Sequence, residues 1–187
     1  MSTFDAAGRR HLNPIDDHSA ERAARLRHLD LGTKPDPEFD EFAQRIARIT
    51  GAPNAMVNFI GDTQQYLSGL FIAGAAVEAA GSAVPFSRSA PLGTGYCPHV
   101  IARRKALPLD DVFAYPRFAG NDVVDKMGVR AYLGAPLIDR TGTALGTVCV
   151  VDSEPRTWGH EGVHVIKQLA AELVELIHRR ERELRLV

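Results

Sequence analysis

From Tyr132 to Asp152 the chain reads YLGAPLIDRTGTALGTVCVVD, two apolar runs joined at Asp139-Arg140-Thr141-Gly142. Gly142 supplies the backbone freedom that a tight connection needs, and Val148, Cys149, Val150 and Val151 favour extended structure. The segment is an antiparallel hairpin. A strand with one wet face alternates apolar and polar residues, and these runs are almost continuously apolar. The hairpin therefore lies deep in a sheet that is covered on more than one side.

The 187 residues suffice for one sizeable core, and a second domain would have to be very small. Lys and Arg number 22 against 23 Asp and Glu, a formal net charge of -1. Without global basicity, neither nucleic acid nor an anionic membrane is an expected partner. No apolar stretch is long enough to span a bilayer, and Met1-Ser2-Thr3-Phe4-Asp5 does not open a signal peptide, so a cytoplasmic location is expected. The two cysteines, Cys97 and Cys149, are far apart in sequence. A structural disulfide is not expected in a reducing compartment, while a redox pair stays open.

Residues 1–18 mix charge, Pro14 and small side chains without periodicity and read as a flexible N-terminal arm, leaving 19–187 as a single domain. Ser19 onward predicts a short helix with Ala23, Leu26 and Leu29 on one face. Phe39, Phe42, Ala43, Ile46 and Ile49 repeat at helical spacing and predict a second helix from Glu38 to Ile49. Ala55 to Ile60 and Gln64 to Ser68 read as a hairpin, with Met56, Asn58 and Ile60 on one face and Val57 and Phe59 on the other. Gly69 to Ala90 is rich in small residues and predicts an irregular lid with one short strand. Short helices follow near Thr94 to Arg103 and from Asn121 to Lys126, with a strand leading to Leu109 between them. A long helix from Gly159 to about Arg185 closes the chain, its tail Arg179 to Glu183 expected to face solvent, with His160, His164 and His178 read as surface or interface residues. This order predicts an α/β (α+β) fold, a central and mainly antiparallel sheet with helices packed on its faces.

Tyr96-Cys97-Pro98-His99 is the most reactive-looking tetrad. Unpaired backbone N–H groups at the start of a helix and a neighbouring imidazolium both favour a thiolate. The functional readings are a redox thiol, a covalent anchor, or metal or haem ligation by His99; the bland one is a small buried hydrophobe beside a hydrogen-bonded histidine. Cys97, His99 and Cys149 lack the spacing of a zinc site, and no metal is expected. No GxGxxG, Walker A, HExxH or serine-elbow pattern occurs. Asn58, Gln64, Tyr66 and Tyr132 are polar handles at strand positions.

The late hairpin, together with Tyr115-Pro116-Arg117-Phe118-Ala119-Gly120-Asn121 opening into Asp122-Val123-Val124, resembles the GAF domain family. These are small α/β sensory modules whose sheet carries a ligand pocket under a lid. The resemblance covers about residues 38–175. It implies N- and C-terminal helices together on one sheet face, often a dimer interface, with loops and short helices on the other. It also implies that Arg117, Phe118, Asn121, Asp122, Arg130 and Tyr132, with Tyr96, Cys97 and His99, border the pocket. Guanidinium groups beside a helix start suit a small anion; the competing reading pairs an arginine with Asp110, Asp111 or Asp125. The Cys-Pro-His segment is similar to the bilin-attaching segment of phytochrome-like members, where Cys and His are adjacent, so neither bilin nor haem is expected as a cofactor.

The leading expectation is a sensory or regulatory module, homodimeric through its helices, that binds a small molecule and passes its output to a downstream signalling protein, since no effector domain follows. An enzymatic alternative is thiol-dependent reduction of a small oxidised metabolite by Cys97, with Cys149 as resolving thiol. Related methionine-sulfoxide-reducing members use several pocket cysteines. A third alternative is an interaction adaptor whose pocket is filled by Phe86, Phe118 and Met127.

Overall fold

The structure is a computed structural model that describes residues 3–4, 10–11, 14–74, 87–184 and 186. Thr3–Phe4 (β1) and Arg10–His11 (β2) form a small antiparallel ladder. The remaining strands build one six-stranded sheet in the order β5-β4-β3-β8-β7-β6. They are β3 (Asn54–Ile60), β4 (Gln64–Ile72), β5 (Ser89–Pro91), β6 (Leu107–Leu109), β7 (Ala131–Ile138) and β8 (Ala144–Asp152). Every pairing in this sheet is antiparallel. The two edge strands have three residues each. β8 lies at the centre, as the continuous apolar run requires.

Helices α1 (Ser19–His28), α2 (Pro37–Thr50) and α5 (Gly159–Leu184) cover one face. Asp36 starts α2 by accepting bonds from the N–H groups of Glu38 and Phe39, and Pro37 fits the first turn, where no N–H partner is needed. Its stripe of Phe39, Phe42, Ala43 and Ile46 meets Val57, Phe59, Leu133, Val148 and Val150 of the sheet, together with Ile166, Leu169, Leu173 and Ile177 of α5. Among the described residues, the opposite face carries only α3 (Cys97–Arg103), a 3-10 turn at Val112–Ala114, α4 (Asp122–Met127) and their connections. Tyr96, Val100, Ile101, Phe118, Val123 and Val129 form a second, separate cluster there against Ile60, Tyr132 and Cys149.

The structure departs from the sequence expectations in three places. β4 continues to Ile72, where Gly69 suggested a break. A side chain at Gly69 would collide with the backbone of Phe39, so this glycine marks the close approach of α2 to the strand. The α5 tail is docked rather than solvent-facing: Glu181 is 3% exposed and accepts bonds from Arg25 Nη1 and Nη2 at 3.0 Å, with Arg140 as a further partner. His178 is buried as well, its Nε2 accepting the Arg140 N–H at 3.1 Å. These contacts gather α1, α5 and the β7–β8 turn, where Arg25 Nε also donates to Asp139 Oδ2 at 2.6 Å. No helix among the described residues is long and apolar enough to cross a membrane.

Candidate functional site

Large side chains from two long helices fill the first face of the sheet, while the short α3 and α4 leave a gap over the second. The gap is a cavity of about 270 Å³. Met56 and Asn58 of β3, Leu70 and Ile72 of β4, and Cys149 and Val151 of β8 form its floor; Tyr96, Cys97, Val123, Met127 and Val129 form its walls. Ser87, Ser89 and Met127, all exposed, also line it and mark its solvent side among the described residues.

One polar chain crosses the floor, and its direction follows from hydrogen-bond chemistry. Gln65 Nε2 lies 2.8 Å from Pro91 O and 2.6 Å from Thr94 O. Carbonyls only accept, so this atom is the amide nitrogen and Gln65 Oε1 faces the other way. That oxygen accepts from Asn58 Nδ2 at 2.8 Å. Asn58 Nδ2 is thereby fixed on Gln65, and the buried Asn58 Oδ1 has no hydrogen-bond partner among the described residues. An unpartnered buried acceptor costs roughly 1–3 kcal/mol. Thr147, opposite Asn58 in the sheet, has a buried Oγ1 that is likewise without a hydrogen-bond partner among the described residues.

Beside Asn58 stands a group of sulfurs and phenols. Cys97 Sγ lies 3.6 Å from Cys149 Sγ and 3.4 Å from Tyr132 Oη. A side chain at Gly134 would occupy the place of the Tyr132 hydroxyl, so that glycine opens the space in which the phenol lies over its own strand. Burial raises Tyr132 well above the ordinary phenol range and keeps its O–H a donor. A bond from Cys149 is the main influence favouring thiolate at Cys97, opposed by burial and helped by the Tyr132 hydroxyl. The same shared proton and burial push Cys149 upward. Tyr96 is also raised by burial, and its hydroxyl donates to Phe118 O at 3.1 Å.

Of the residues singled out in the sequence, Tyr96, Cys97, Tyr132 and Cys149 come together at the cavity. His99 and Phe118 are buried behind the wall, their rings edge to face at 5.0 Å. Asn121 caps α4 and fastens the Gly93 to Gly95 segment, accepting from Gly95 N at 2.9 Å and donating to Gly95 O at 2.9 Å. Asp122 is exposed and pairs with Lys126 at 2.7 Å. Arg117 is exposed, its guanidinium 5.1 Å from the Phe118 ring centre. Arg130 is bound to Asp111 through Nη2 at 2.7 Å, which holds that carboxyl below its ordinary range. None of the arginines reaches the cavity, and its described lining contains no charged side chain. Met127 stands on the solvent side rather than filling the interior; Phe86 lies outside the described residues, as does most of the expected Gly69 to Ala90 lid.

Sequence reasoning missed Gln65 and named its exposed neighbour Gln64. The cause is a register irregularity between Val57 and Asn58, which places Asn58 opposite Leu67 and brings Gln65 onto the cavity face. Among the described residues no group of three or more His, Cys, Asp and Glu side chains is arranged to hold a metal ion.

The layered sheet, helices on one side and a capped cavity on the other, define a GAF fold. The GAF domain profile matches residues 35–177, and the chain belongs to the GAF domain family. A cyclic di-GMP phosphodiesterase of Pseudomonas aeruginosa is 28% identical over 145 residues, 76% of this chain and 22% of that protein. The chain thus spans about a fifth of that relative's length. The GAF domain of Acinetobacter phosphoenolpyruvate-protein phosphotransferase superposes with a TM-score of 0.59 at 15% identity, covering 91% of this chain and 99% of that one. Free methionine-R-sulfoxide reductase from Neisseria meningitidis superposes at 0.57 with 15% identity over 98% of each chain. The blue-light absorbing form of the Thermosynechococcus elongatus PixJ GAF domain does so at 0.57 and 15%, over 92% of this chain and 96% of its own. At these identities the likeness establishes the fold.

Proposed function

We propose that the chain is a sensory module that binds a small, neutral and largely apolar molecule in the cavity beneath α3 and α4. The observation that carries this reading is the unpartnered Asn58 Oδ1 at the cavity floor. Its orientation is fixed by Gln65 and two backbone carbonyls, so a ligand N–H or O–H meets an acceptor already in place. The described lining is uncharged, which favours a neutral molecule over the small anion expected from the arginines, because a desolvated anion would face no cation among the described residues.

Ligand contacts order the segments around the cavity, and the change leaves through the helices on the other face. Strand β3 connects the two directly: Met56 and Asn58 face the cavity, while Val57 and Phe59 pack under α2 and α5. We place the contact between two copies along α5, whose 26 residues extend about 39 Å, with a downstream signalling protein reading that pair in the cytoplasm. Sedimentation tests the pairing. For the ligand itself, native mass spectrometry of freshly purified protein should show a retained small neutral molecule. Asn58→Leu and the cavity-filling Val151→Phe should each lose it. All three proteins appearing only at their own sequence masses, with nothing retained, would overturn the reading.

A further inference from the structure

Cys97 lies in the first turn of α3 and Cys149 within β8, 52 residues apart in the chain, yet their sulfurs are 3.6 Å from each other. Both are free thiols, buried, and part of the cavity wall. Filling that space with apolar volume does not require sulfur at both positions. Nor does it require a phenol O–H directed at one of them, and Tyr132 Oη stands 3.4 Å from Cys97 Sγ. We propose that Cys97 and Cys149 form a two-electron redox couple, oxidised to an intrachain disulfide by small neutral hydroperoxides that enter from the solvent side at Ser87, Ser89 and Met127. This goes beyond the ligand reading and does not depend on it.

Size and charge select the oxidant class. A cavity of about 270 Å³ with no charged side chain in its described lining admits a small neutral molecule and gives an anionic oxidant nothing to pair with. Cys97 is the attacking thiol, since the bonds it receives favour its thiolate while Cys149 retains its proton. The Cys97 sulfur attacks one peroxide oxygen; an S–O bond forms, the O–O bond breaks, and the alcohol leaves with the proton Cys97 gave up. Cys97 is then a sulfenic acid. The Cys149 sulfur attacks it next, the S–S bond forms, the S–O bond breaks, and hydroxide leaves as water with the Cys149 proton. In sum, two thiols and one hydroperoxide give one disulfide, one alcohol and one water. A dithiol reductant reverses the change by taking the disulfide onto itself and returning two hydrogens. The sulfurs must approach by about 1.5 Å to reach bonding distance, which draws the start of α3 toward β8 and reshapes the cavity wall.

The test treats the full chain with one equivalent of hydrogen peroxide or tert-butyl hydroperoxide under native conditions. Both thiols should disappear together, the intact mass should fall by two hydrogens, and proteolysis should yield a Cys97–Cys149 cross-linked peptide that dithiothreitol separates. In Cys149→Ser, oxidation should stop at a dimedone-reactive sulfenic acid on Cys97; in Cys97→Ser, Cys149 should stay unmodified. Persistent thiols in the native wild type, oxygen added without a cross-link, or cross-links only between chains would overturn the proposal. The wild-type measurement decides by itself if either variant fails to fold. Ligand retention is read separately in Asn58→Leu, where both thiols remain, so failure of one proposal is distinguishable from failure of the other.

Discussion

The two faces of the sheet are built from alternate residues of the same strands and differ in almost every other respect. On one side Val57, Phe59, Leu133, Val148 and Val150 meet two long helices, and the interface is filled with aliphatic and aromatic side chains. On the other, the neighbouring positions are Met56, Asn58, Tyr132, Cys149 and Val151, and among the described residues what covers them is two helices of seven and six residues. Short helices cannot present enough surface to fill the space above a sheet, so a cavity remains, and the polar atoms at its floor are left without partners. The fold concentrates its stability on the first face and its chemistry on the second.

The same substitution on each face measures that division. Leu173→Ala, at a fully buried position of α5, should cost about 3–4 kcal/mol, read as a lower urea midpoint. Breaking the charge cluster that docks the α5 tail should cost less: Glu181→Gln leaves Arg25 with Asp139 and Arg140 partly in water, a loss of about 2 kcal/mol. The bonds from Arg25, opposed by some desolvation and helped by Arg140, hold the Glu181 carboxyl down at about 2. A carboxyl depressed on folding stabilises above its unfolded pKa and loses that contribution as pH falls. The difference between wild type and Glu181→Gln should therefore be complete above about pH 4.5 and vanish as the pH approaches 2. Leu70→Ala, on the cavity wall, should cost only about 1–2 kcal/mol, because that side chain already borders empty space. Equal losses for Leu70→Ala and Leu173→Ala would break the comparison. Tyr132→Phe has the smallest expected effect on stability. By removing a donor to Cys97 it should move the onset of iodoacetamide labelling at that thiol to higher pH.

Periodicity and turn chemistry made most of the filled face readable in advance. The stripe from Phe39 to Ile46, the N-cap of α4 at Asn121 and the hairpin around Gly142 all occur where residue spacing alone puts them. The Arg130 pair with Asp111 was one of the readings that charge complementarity allowed. The site was less legible because its geometry depends on long-range coincidence. Nothing near Cys97 in sequence announces Cys149, and the irregularity at Val57/Asn58 that selects Gln65 over Gln64 has no local marker. The buried ends of Glu181 and His178 were hidden for a similar reason, since a run of charge reads as solvated until Arg25 and Arg140 arrive from elsewhere.

The central claim is that the thinly covered face encloses a ligand against Asn58. The most direct measurement is a high-resolution crystal structure of freshly purified protein, read at the cavity floor. Density is expected for a small molecule with a donor atom at about 2.9 Å from Asn58 Oδ1. A cavity closed by inward rotation of Met127 or Tyr96, with Asn58 Oδ1 bonded to a protein group, would contradict it.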